Sequence, residues 1–80
     1  MIKVEELHDA EKMIIYYVMN LFLLRENDSA LQLINDYALK AHGSILYEAN
    51  LYRVLGLVYY HKSEITKSLD AFKTAYKLYS

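Results

Sequence analysis

Asn50-Leu-Tyr-Arg-Val-Leu-Gly-Leu-Val-Tyr-Tyr-His-Lys-Ser-Glu-Ile-Thr-Lys-Ser-Leu-Asp-Ala-Phe-Lys-Thr-Ala-Tyr-Lys-Leu-Tyr-Ser80 decides the fold. It reads as two helices separated by Lys62-Ser63, with Ser63 as N-cap and Glu64 in the first turn behind it. The second helix, from Glu64 to the end, has an apolar stripe of Ile65, Leu69, Phe72, Ala75, Tyr76 and Tyr79. Lys67, Asp70, Lys73 and Lys77 lie opposite it. The first helix has almost no polar face, so it expects burial on more than one side. A break this short folds the two helices antiparallel.

Upstream, Ser44 is placed to cap this third helix, which ends near His61. Gly43 stands where a left-handed helix C-cap belongs. Helix two runs from about Ser29 to His42, with Ala30, Leu31, Ile34, Tyr37, Ala38 and Ala41 at three- and four-residue spacing. Asp28 or Ser29 is its expected N-cap. Helix one runs from Glu5 to roughly Arg25, and Glu5, Glu6, Asp9 and Glu11 crowd its amino end, where they favour the helix dipole. The expected class is all-α, about four antiparallel helices forming one domain of two hairpins, over about 5–42 and 45–80.

The second hairpin resembles a tetratricopeptide repeat (TPR). That family has an aromatic, Leu-Gly three and four residues on, then Tyr, followed in the second helix by small, aromatic and small residues. Tyr52, Leu55, Gly56, Tyr59, Ser68, Phe72 and Ala75 fill these slots, and only the closing proline is missing, where Ser80 stands. An offset of 38 residues lays Ile14 on Tyr52, Val18 on Gly56, Leu21 on Tyr59, Ala30 on Ser68 and Ile34 on Phe72. The first hairpin departs from the family at its small positions, Val18 replacing glycine and Tyr37 taking the second small slot. The extra residues of the longer period are expected around Ile45 to Glu48. The Tyr-, Ile- and Lys-rich, proline-free texture also resembles Gram-positive peptide-sensing TPR regulators. That likeness implies a terminal piece that pairs with a larger relative, or a fragment of one.

Composition removes several functions. The 55% apolar share includes nine tyrosines; exchanging Tyr for Gly in the count gives about 46%, an ordinary value. A net charge of −1 with interspersed signs gives no footprint for nucleic acid or an anionic membrane. The most apolar run, Met13 to Leu24, is too short to cross a bilayer, and no secretory signal is recognisable. Cysteine is absent, so no disulfide or thiolate metal site is expected, and the cytoplasm is the default compartment. Glu5-Glu6-Leu7-His8 has a di-iron-like Glu-x-x-His spacing without a second copy, and His42 and His61 read as structural. With no nucleophile elbow and no Gly-rich phosphate loop, neither catalysis, metal nor cofactor is expected.

What remains is more apolar helix surface than two hairpins can cover, and such a surface marks an interaction site. In the resembled family the first helix of each repeat lines a concave groove. The resemblance therefore implies that Asn50, Arg53, Leu57, Tyr60 and His61 contact a protein or peptide. The matching positions Lys12, Ile15, Met19, Phe22 and Leu23 look like a dry contact face, so Ile15, Met19, Phe22 and Leu23 are the expected self-association seam. The competing assignment makes Asn50 a cap, Arg53 a solubilising charge, and Ile15, Met19 and Phe22 plain core. The expected function is a non-catalytic protein- or peptide-binding module. It self-associates most simply as a two-fold dimer across helix one, and modulates a larger TPR regulator. Its rivals are a purely structural oligomerisation domain and a small DNA-binding regulator. Lys67, Lys73 and Lys77, interrupted by Asp70, are a poor recognition helix for the latter.

Overall fold

A computed structural model describes residues 8–40 and 43–79. These form α1 (Asp9–Leu23), α2 (Asn27–Leu33, continued by a π-helical turn over Ile34–Ala38), α3 (Ile45–His61) and α4 (Ile65–Tyr79). The fold is all-α, two antiparallel hairpins in series, with no strand among the described residues. The expected start of helix one at Glu5 to Leu7, and Ala41, His42 and Ser80, lie outside the described residues.

Both hairpins turn by the same device. Glu26 N–H donates to the Leu21 carbonyl at 2.8 Å and Arg25 N–H to Phe22 at 3.0 Å. In the second hairpin Glu64 N–H donates to Tyr59 at 2.9 Å and Ser63 N–H to Tyr60 at 3.0 Å. Arg25 and Ser63 each have φ 62°, the left-handed residue of a Schellman motif. Ser63 is therefore the end of α3 and not the cap of α4, a correction to the sequence reading. Likewise α2 begins at Asn27, ahead of the expected Asp28 or Ser29 cap. Every one of these paired atoms is separated by 38 residues, the offset found in the sequence. The surface creases repeat too. Leu55, Tyr59, Lys67, Asp70, Ala71 and Thr74 help line one of about 320 Å³. Their counterparts Tyr17, Leu21, Ser29, Gln32, Leu33 and Asp36 line one of about 360 Å³. Ile45 to Glu48, where the extra residues were expected, form the first turn of α3.

The two helix crossings are filled by different side chains. In the second hairpin the Phe72 ring lies on Gly56, where an added Cβ would sit 2.6 Å from Cε1. The Ser68 hydroxyl donates to the Gly56 carbonyl at 2.8 Å. In the first, Val18 is fully buried in the place of Gly56, and Ala30 and Ile34 stand for Ser68 and Phe72. Gly56 and Phe72 thus put the bulk on one helix, whereas Val18 and Ile34 divide it between the two.

The hairpins meet through α3. Tyr47, Leu51, Val54 and Val58 form one stripe at four-, three- and four-residue spacing and are all essentially inaccessible. The Tyr47 hydroxyl donates to the Ala38 carbonyl at 2.9 Å, so this stripe faces the first hairpin. Gly56, roughly 140° round the helix from Leu51, faces α4. Burial, and then the nearby Glu11 and Tyr37 charges, push the Tyr47 phenol up to about 12. The π turn at the end of α2, closed by Leu39 N–H to the Ile34 carbonyl at 2.9 Å, is the segment that presents Ala38 to Tyr47.

Two polar ties cross the hairpins at their edges. Lys62 pairs with Asp28. Glu11 accepts from Ser44 N–H at 2.8 Å, the Ser44 hydroxyl at 3.3 Å and His8 N–H at 3.2 Å. Ser44 caps α3 as expected, its hydroxyl accepting from Tyr47 N–H at 3.2 Å. Gly43 is not a left-handed cap, since no described glycine has positive φ. It is needed for space: a Cβ there would lie 2.2 Å from the Tyr47 ring and 2.8 Å from a Glu11 oxygen.

Burial tends to raise the Glu11 pKa, but the Ser44 and His8 amides, the Ser44 hydroxyl and the His8 charge outweigh it and hold the carboxyl below its ordinary value. A depressed carboxylate stabilises the fold above its unfolded pKa of about 4.3, and that contribution disappears as pH falls through the folded value. The gap in melting temperature between wild type and Glu11→Gln is therefore expected to be full at neutral pH and to close in acid; a gap constant from pH 7 to 3 would refute the tie. At the crossing, Gly56→Val overpacks and should cost about 1–3 kcal/mol in urea unfolding. Adding Phe72→Ile, which copies the first hairpin, should recover part of that loss, so the double variant is more stable than the two single costs predict.

Candidate functional site

The face shared by α1 and α3 carries the sequence-predicted binding residues, and the structure divides them. Asn50 is 1% exposed, its amide nitrogen donating to the Leu46 carbonyl at 2.9 Å. It sits inside the fold, where it orients nothing on a groove. Ile15, at 1% exposed, is core and unavailable to a seam. Lys12, Met19, Phe22, Arg53 and Leu57 are half-buried, and Met19 and Phe22 pack against the core. Leu23, Tyr60 and His61 are exposed.

The helix ends bring the two predicted sets together. The Phe22 and His61 rings meet edge-on with centroids 5.1 Å apart, and Tyr60 meets His61 at 5.7 Å. A crease of about 430 Å³ opens here, lined by Phe22, Leu23, Arg25, Asn27 and His61. Arg25 and Asn27 read in sequence only as turn; the left-handed residue at Arg25 brings that turn against the groove. The Asn27 carbonyl oxygen, and Arg53 Nε on the same helix as His61, are buried without a hydrogen-bond partner. Buried polar atoms left in this state are rare.

A larger apolar surface lies elsewhere, on the outer side of the first hairpin. Met13, Ile14, Tyr16, Tyr17, Asn20, Leu33 and Tyr37 line a groove of about 700 Å³. Met13 is 71% exposed, and Tyr16, Tyr17 and Tyr37 are at least half exposed. Of the expected seam only Ile15 faces fully inward, beside Val18, whereas Met13 and Tyr16, read as no part of it, face outward. The signal was present in Tyr37, a large ring at a slot where the resembled repeat has a small residue. At the opposite end of the molecule, α4 turns Ile65, Leu69, Tyr76 and Tyr79 outward. It packs on α3 through Ser68, Ala71 and Ala75, so most of its apolar stripe faces away from the fold.

Among the described residues no helix is long and apolar enough to cross a membrane, and no three His, Asp or Glu side chains group to hold a metal. The structural assignment of Asn50 has a direct check. Its carbonyl oxygen has no partner, so Asn50→Leu, which removes both polar atoms, should leave urea stability within about 1 kcal/mol of wild type. A larger loss would mean that this oxygen carries a bond.

No protein-family model, no characterised protein and no solved structure matches the chain.

Proposed function

We propose that this chain is a non-catalytic, TPR-like interaction module that binds protein through surfaces its own helices leave uncovered. One observation carries the reading: large apolar side chains stand exposed in contiguous groups at both ends, around Met13, Tyr16, Tyr17 and Tyr37 and along Ile65 and Leu69. Burying the apolar area they still expose is favourable, and grouped exposure of this kind marks a contact surface. Tyrosine suits the role, giving a broad apolar face with a polar tip.

The crease at Phe22, Arg25, Asn27 and His61 supports a peptide-reading contribution on the α1 and α3 face, where Arg25 supplies a guanidinium for a carboxylate and the rings supply stacking. A role beside a larger TPR regulator in the cytoplasm fits this reading through the texture of the sequence. Self-association belongs to the same surfaces.

Replacing Tyr17 with a photo-crosslinking phenylalanine in the native cell tests the proposal. The expected outcome is one or a few discrete adducts, identified by mass spectrometry, whose purified partner then binds wild type and loses at least tenfold in affinity to Tyr17→Asp. Adducts no more abundant or discrete than those from the exposed position Lys40 would overturn it.

A further inference from the structure

We infer that the two uncovered ends are complementary to each other and that a second copy of this chain docks head-to-tail, continuing the hairpin series. The 38-residue offset says what each end is. Inside the chain, the stripe of α3 that covers the first hairpin includes Leu51, Val54 and Val58, each at 0% exposure. The equivalent α1 positions are Met13, Tyr16 and Asn20, and all three line the large outer groove. The head of the molecule is therefore the same stripe, with nothing among the described residues in front of it.

The tail answers to the other side of that internal contact. On that side Asp28 pairs with Lys62 and the Ala38 carbonyl meets Tyr47; Leu31, three residues from Asp28 on the same face of α2, corresponds to Leu69, and Asn27 to Ile65. Leu69 is 50% and Ile65 59% exposed on α4. An existing interface thus appears twice more in half-form, once at each end. The same turn hydrogen bonds join the helices of both hairpins.

Charge points the same way. Residues 1–42 hold seven acids and four bases, and residues 43–80 three acids and five bases, so the head half is negative and the tail half positive. A head-to-tail pair sets opposite signs together, whereas a two-fold pair across α1 sets negative against negative. The polar ties of the internal contact do not recur: Lys62 and Asp28 correspond to Leu24 and Thr66. The docking is therefore chiefly apolar and weaker than the internal contact. Because the surfaces differ, it does not close at two copies and extends with concentration.

This deepens the interaction-module reading by naming its partner, and sedimentation velocity separates the two. Wild type should rise in average mass with concentration beyond twice the 9.4 kDa chain. Tyr16→Asp and Leu69→Asp each alter an exposed position and should retain wild-type circular dichroism. Each alone should be a monomer, since each lacks one half of the contact. Mixed, they should form a one-to-one pair and stop, the intact tail of the first meeting the intact head of the second. A wild-type monomer up to on the order of 1 mM would overturn the proposal. So would Leu69→Asp remaining a dimer while Tyr16→Asp does not, or a mixture that stays monomeric. A monomer that still yields a discrete foreign adduct at Tyr17 would sink head-to-tail docking and leave the module standing.

Discussion

The first helix of each hairpin must be covered on two opposite sides, and among the described residues only α3 obtains this. α4 closes over its Gly56 side, and the first hairpin closes over Tyr47, Leu51, Val54 and Val58. α1 carries the same double demand, with Val18 turned toward α2 and Met13 and Tyr16 turned outward. A chain of this size buries only roughly 60% of the surface it exposes when unfolded, so leaving one side of a helix open is a large fraction of its available stabilisation. The positions of the core, the creases and the uncovered ends follow from that asymmetry.

Repetition in this molecule resides in the backbone more than in the side chains. Turn hydrogen bonds and creases recur at 38 residues, while the crossing is Gly56 with Phe72 in one hairpin and Val18 with Ile34 in the other. The bulk sits on α4 in one crossing and is divided between α1 and α2 in the other. Side-chain identity is therefore a poor guide to the first repeat and backbone geometry a good one.

Specificity in the internal contact comes from its edges. The centre is aliphatic and would accept several registers. Tyr47 hydrogen-bonded to Ala38, Glu11 to Ser44 and Lys62 to Asp28 fix one of them. Gly43 matters because Glu11 and the Tyr47 ring converge on its backbone, leaving no room for a side chain. Buried or bridging polar groups of this kind contribute modest energy and select an arrangement.

Periodicity and capping established the four helices, their antiparallel pairing and the Ser44 cap, because these rest on interactions within a few residues of each other, whereas the 38-residue offset came from the resemblance to a repeat family. The sequence also announced excess apolar surface. It could not say on which side that surface would lie. Ile15 and Asn50, read as contact residues, are core, while Met13, Tyr16 and Leu69 are outside. On a helix that is apolar all round, local pattern does not distinguish one face from another. The choice is made by which neighbour arrives, and that depends on the left-handed turns at Arg25 and Ser63 and on the π turn that sets Ala38 against Tyr47. Those features orient whole helices across the chain, so the tertiary structure alone decided where the open faces are.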